Sequence, residues 1–403
     1  MDKQYLLKET LLGLILFTLP LSLKLNSLSI FVAFCCFFHI KIKRNFLGKL
    51  TSYWISFTFF SSQLISFILS ENTIAASSKI ILYLSFLLFP ILFSSFDRKI
   101  KLEEFRLIRW LFYGTLLILC YGLLRSLYDV IFINERYDYG RGVGLLLKYV
   151  PHHAYLSMYI FISIIGVLPK AIERKRIHFW ILVFIPPLYL ALILLSSRTA
   201  ILISVFIFPY IIYSLLKNVA IRKKSLIILI FTYLVLITIG FSNDFSRNKI
   251  IYTFYEIANI STTEKPFAGV TSRKDIWFSA IELVKQSPWI GYGVGDTQYV
   301  LDTYFSENNL EKRINMNTHN QYLQFALHHG ILIASLLLAI IINLIRKLII
   351  NKYSFLVFCW FILLSFSMTE TILNRQWGVV LFAFILNYSI YVLSFSTKEV
   401  SRI

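Results

Sequence analysis

The chain has 403 residues, 57% of them hydrophobic and 15% charged, with a mean hydropathy of +0.70. Soluble domains carry about a quarter charged residues, so this balance excludes an ordinary soluble globular fold. The net charge of +19 does not point to nucleic acid, because Lys and Arg sit in short gaps between apolar runs, which is a pattern of membrane topology.

Apolar runs of roughly 20 residues recur along the chain, each long enough to cross a bilayer as a helix. The expected fold is all-α: a polytopic membrane protein of about 12 transmembrane helices. In order, the predicted spans are about 9–23, 27–40, 51–70, 79–96, 110–133, 151–169, 178–196, 199–216, 225–241, 320–345, 353–369 and 377–396. The first two are short enough to form one bent hairpin instead. No small-residue cleavage site follows the first run, so a retained helix is expected there rather than a signal peptide. Cys35, Cys36, Cys120 and Cys359 all lie inside apolar runs, as packing residues rather than a disulfide or zinc set. No internal repeat or low-complexity linker is visible, so residues 1–403 are expected to form a single membrane domain.

Basic residues set the orientation. Lys41–Arg44, Arg98–Arg109, Lys170–Arg176, Lys217–Lys224, Arg346–Lys352 and the tail with Lys398 and Arg402 fall on one side of the alternating spans, and the short gaps on the other side hold far fewer. The positive-inside rule then places both termini in the cytoplasm. Residues 242–318 become one long inserted loop on the outer face, too polar to cross the membrane and too long for a turn. Within it, Ser272–Gln286 has Ile276, Ala280, Leu283 and Val284 at helical spacing, which predicts an amphipathic helix. Pro288-Trp289-Ile290-Gly291-Tyr292-Gly293-Val294-Gly295 follows as a tight turn. Its alternating glycines let backbone approach a ligand or another helix closely, but it lacks the strand–turn–helix setting of a dinucleotide site.

A few polar residues could carry chemistry. Arg198 stands where two spans meet with almost no loop. An arginine so near hydrocarbon must be solvated or paired, so it either snorkels to the interface or holds an anion. Its guanidinium fork suits phosphate oxygens. Arg273 starts the outer-loop helix, where Ser272 could cap and free N–H groups favour an anion; the alternative is an ordinary solvated arginine. Arg141, between Gly140 and Gly142, is another outer arginine, in a setting that matches no phosphate loop. His319 is the candidate base, since imidazole near pH 7 is mostly neutral and accepts a proton; the alternative is a polar helix start. Asn320 beside it could orient a sugar or the ring, and Glu370 could pair an arginine or hydrogen-bond an acceptor. His328 and His329 are off the His319 face and make no His-x-x-x-His metal pair. His152-His153 opens another span from the outer side, either at the interface or lining the same cavity. Trp277 and Trp289 could stack on sugars.

His319-Asn320, nine residues, then Gly330 resembles the signature of the bacterial O-antigen ligases, which share a superfamily with O-antigen polymerases and O-linked oligosaccharyltransferases. Ser197-Arg198-Thr199-Ala200, then Arg273 with Trp277, then Pro288–Gly295, precede it in the family's order. One departure is Ile333, where the family pattern often has Gly, Thr or Tyr. The resemblance implies a metal-independent, inverting glycosyltransferase that uses no cofactor and faces the periplasm from the inner membrane. The implied donor is an O-antigen chain on undecaprenyl diphosphate, the acceptor is lipid A–core, and membrane lipid surrounds both. Arg198 and Arg273 would hold the diphosphate, and His319 would take the acceptor's proton. The absence of an Asp-x-Asp sequence agrees with a metal-free site. The rivals are an O-antigen polymerase, a protein-directed oligosaccharyltransferase, and, from another class, a lipid-linked sugar transporter. A transporter would show charges deep in several spans and repeat symmetry; Arg125, one turn from Asp129, is the clearest mid-span charge.

Overall fold

A computed structural model describes residues 3–38, 46–96, 102–132, 149–173 and 270–400, with a few short pieces between 187 and 238. Among them every regular element is helical: α1 (Lys3–Thr18), α2 (Leu23–Phe38), α3 (Phe46–Leu50), α4 (Trp54–Ile68), α5 (Thr73–Tyr83), α6 (Ser85–Ser94), α7 (Glu104–Phe132), α8 (His153–Glu173), α9 (Val270–Gln286), α10 (Thr297–Glu307), α11 (Gln321–Ile350), α12 (Ser354–Ser367) and α13 (Gln376–Val400). Thr73–Ser94, Glu104–Asp129, Gln321–Ile350 and Gln376–Phe395 are long and apolar enough to cross a membrane. The expected total of about 12 spans exceeds these four candidates. Three expected spans, 178–196, 199–216 and 225–241, lie mostly outside the described residues. Others are shorter apolar helices, such as Ser354–Ser367. All four cysteines are free thiols.

The chain divides into two compact units. One comprises Glu9–Ile30 and Leu102–Thr262. In it, α1 meets α7 at two glycines. A Cβ on Gly13 would lie 2.3 Å from the Trp110 ring, and one on Gly114 would lie 2.2 Å from the Phe17 carbonyl oxygen. Small residues permit such close helix approach in lipid, where no water drives association. Glu9, 3% exposed, faces Arg106 at 3.5 Å. Further along α7, Arg125 Nε lies 3.7 Å from Asp129 Oδ1, one turn on, and Tyr149 also hydrogen-bonds Asp129. The mid-span charge is therefore paired. His153 begins α8, and its ring centroid lies 4.1 Å from that of His152 just before it.

The other unit comprises Met1–Lys8, Phe31–Lys101 and Thr263–Ile403. Its central element is α13, whose residues from Val379 to Leu386 are at most 4% exposed. A helix that is apolar all round is buried all round. Phe59 of α4, Phe86 of α6 and Phe382 of α13 cluster with ring centroids 5.3–6.1 Å apart. Pro90 inside α6 cannot donate to the Phe86 carbonyl four residues back. The Ser56 hydroxyl of α4 donates to it instead at 2.8 Å, and Asn387 Nδ2 of α13 donates to Ser56 at 3.0 Å. Backbone carbonyls in an apolar interior need such replacements.

The expected outer-loop helix is present as α9. Ile276, Ala280, Leu283 and Val284 are all buried, packed with Leu301 and Phe305 of α10 and Leu327 of α11. It begins at Val270, so Ser272 falls in its first turn rather than at its cap.

Candidate functional site

The site begins where the α9–α10 layer meets the start of α11. Asn320 has extended backbone and caps α11: its Oδ1 accepts from the Tyr322 and Leu323 N–H groups at 3.0 and 3.2 Å. Helix N-termini leave such donors orphaned, and asparagine at the cap satisfies them. This use leaves Asn320 its Nδ2 for a sugar or the His319 ring.

His319 precedes the cap with φ of 45°, in the left-handed region. A non-glycine residue there is strained. Its N–H donates to Asn317 Oδ1 at 2.9 Å. Thr318 is fully buried, and its carbonyl accepts from the Trp277 indole N–H of α9 at 2.9 Å. Trp277 thus anchors the His319 turn.

Glu370 lies between α12 and α13 and is 8% exposed. Its Oε1 is 3.2 Å from Arg273 Nη2, and its Oε2 is 3.5 Å from His319 Nδ1. One nearly buried carboxylate therefore joins an arginine of α9 to the histidine before α11. The guanidinium offsets the carboxylate's charge, as a buried carboxylate requires. Its other donors can meet an anion. With Nδ1 toward the carboxylate, Nε2 is the ring nitrogen left for another partner. Arg313 Nη2 pairs Asp275 at 3.1 Å, two residues from Arg273.

The glycine motif has a different task. Gly330 interrupts α11 with φ 77° and ψ 165°. Such a break frees backbone groups, and three around it have partners outside the helix. Tyr292 N–H donates to the Leu327 carbonyl at 2.7 Å, the Ser66 hydroxyl to the His328 carbonyl at 3.0 Å, and the Ile331 N–H to the Pro288 carbonyl at 2.7 Å. A Cβ on Gly330 would lie 2.1 Å from the Trp289 carbonyl oxygen. The Pro288–Gly295 turn is therefore wedged into the helix break. Gly295 N–H donates to Ser70 Oγ at 2.9 Å, and Asp296 accepts from the Glu71 and Asn72 N–H groups at 2.7 and 2.9 Å. The alternating glycines serve backbone contact with α11 and the α4–α5 turn. Trp289 is 73% exposed.

Of the expected site residues, the structure brings Arg273, His319 and Glu370 together, with Asn320 adjoining. Arg198 and Arg141 lie outside the described residues. Thr318 and Gln324 were not singled out from sequence; a buried threonine and glutamine flanking a helix cap carry no distinctive spacing.

Residues 179–338 match the family model described as O-Antigen ligase. No curated protein matches the chain. The matched segment holds Arg198, Arg273, His319 and Gly330 but stops before Glu370, which joins the cluster only through the fold. Over this segment the chain is similar to the O-antigen ligase family.

Proposed function

We propose that the chain is an O-antigen ligase: an inverting, metal-independent glycosyltransferase that moves O-antigen from undecaprenyl diphosphate to lipid A–core. Beyond the family match, the observation supporting this most is Glu370 joining Arg273 to His319. His319 Nε2 takes the proton of the acceptor hydroxyl as that oxygen attacks the anomeric carbon. The carbon–oxygen bond to the diphosphate breaks on the opposite face, and its electron pair leaves with the phosphate. Glu370 favours the imidazolium that forms. Arg273 and Arg198 stabilise the leaving diphosphate, as preorganised cations do for developing charge. The energy arrives in the lipid diphosphate, which suits a site on the periplasmic face of the inner membrane with both termini cytoplasmic.

The test is reconstitution of the purified chain with lipid-linked O-antigen and lipid A–core, without nucleotide and with a chelator present. Capped lipid A–core supports the ligase. Longer lipid-linked chains without capping would mean a polymerase, and donor crossing the bilayer unreacted would mean a transporter.

A further inference from the structure

Gln324 and His328 are polar side chains on α11, each 3% exposed, and the proposed chemistry uses neither. Burying an amide and an imidazole in an apolar helix layer is costly unless each is hydrogen-bonded. Helix capping does not require them, because Asn320 already caps α11. Gln324 instead reaches back beyond the cap. The Thr318 hydroxyl lies 2.8 Å from Gln324 Oε1 and 2.8 Å from the Asn320 carbonyl oxygen. The Thr318 N–H makes a longer bond to the same Oε1, at 3.4 Å. Since a backbone N–H only donates, this contact orients the amide with oxygen toward Thr318 and nitrogen toward His328. Gln324 Nε2 is 2.8 Å from His328 Nε2, which accepts from it in this orientation. The His328 carbonyl is held in turn by Ser66 at the helix break. A line of buried polar contacts thus runs from α4 through His328 and Gln324 to Thr318, the residue before strained His319.

We propose that Gln324, braced by His328, is a positioning residue. It fixes Thr318 and thereby the left-handed turn that aims the His319 imidazole at Glu370. The inference rests on His319 acting as the base, but the turn itself can be read without the reaction. His319 is 31% exposed at its side chain, whereas His328 and His329 are 3% and 1% exposed. Acylation by diethyl pyrocarbonate, followed by peptide mass spectrometry, therefore reports on His319 against two shielded internal controls.

The experiment uses the full chain in nanodiscs with Gln324→Leu, Thr318→Val and Thr318→Ser. Gln324→Leu and Thr318→Val are expected to change the His319 acylation rate at least about threefold. They are expected to lower kcat about tenfold or more, as small misplacements of a reacting group do, with KM for the lipid-linked donor nearly unchanged. Thr318→Ser keeps the hydroxyl and should restore both. Because Gln324 and Thr318 act as one unit, the double variant should be no worse than either single one. Unchanged kcat in an active protein, a loss confined to KM, no rescue by serine, or additive losses would each overturn the role. If the wild-type chain transfers no glycan, the proposed reaction fails. The acylation rate then decides alone, and an unchanged rate in Gln324→Leu overturns the positioning role as well.

Discussion

Glu370 Oε2 lies 3.5 Å from His319 Nδ1, although 50 intervening residues include all of α11 and α12. The same carboxylate holds Arg273 at 3.2 Å with its other oxygen. Glu370→Gln keeps the shape but removes the charge that supports an imidazolium. The variant should fold and insert normally while kcat falls at least about tenfold, in the range typical for a general-base system. Steady-state transfer of glycan to lipid A–core checks this; wild-type turnover would remove the carboxylate from the mechanism.

His319 has two properties that pull in opposite directions. Its side chain is the proposed base, and its backbone sits at φ 45°. His319→Gly removes both the base and the strain, which is roughly 1 kcal/mol for a non-glycine residue in that region. Transfer should disappear while thermal stability holds or rises. Loss of stability equal to that of His319→Ala would show that the left-handed turn carries no strain.

Gly330→Ala should be among the most damaging small substitutions in the chain. Its Cβ would meet the Trp289 carbonyl oxygen at 2.1 Å, on a backbone with φ 77°. Backbone cannot move aside as a flexible side chain can. We expect a loss of roughly 2 kcal/mol or more, read as a lower melting temperature by fluorescence-detected size exclusion. An unaltered melting temperature would mean that the Pro288–Gly295 turn does not stay wedged in the break.

Ser56→Ala tests the accounting around Pro90. It strips the Phe86 carbonyl of its 2.8 Å donor and the Asn387 amide of a 3.0 Å acceptor. A cost of about 1–3 kcal/mol is expected for leaving buried polar groups unpaired, with KM and kcat of the surviving protein unchanged. A kinetic change would link this core contact to the site.

At the proposed diphosphate site, charge and shape separate by substitution. Arg198→Lys preserves charge but not the bidentate fork. Turnover should drop sharply, and full activity would show that a point charge suffices.

Much of this architecture was legible from local pattern. The apolar runs place α4, α11, α12 and α13 close to their observed positions, because a helix in hydrocarbon must satisfy its own backbone and its composition shows it. The α9 face follows from helical spacing at Ile276, Ala280, Leu283 and Val284, all of them buried. His319 and Arg273 could be singled out because polar groups at the start of an apolar run or an amphipathic helix are few. Asn320 was legible as a neighbour of His319 but not as the helix cap, since its extended backbone is visible only in three dimensions.

The sequence by itself determined the class: helices of membrane-spanning length, a polar segment between them, and a histidine where the next span begins. Those properties are encoded within one or two helical turns, where hydropathy and spacing are sufficient. Only the tertiary structure decided that Glu370 faces both Arg273 and His319, that Pro288–Gly295 fills the break at Gly330, and that Gln324 grips Thr318. Each of these depends on where a side chain or a freed backbone group finds its partner, because buried polar groups must be paired with whatever the fold brings near.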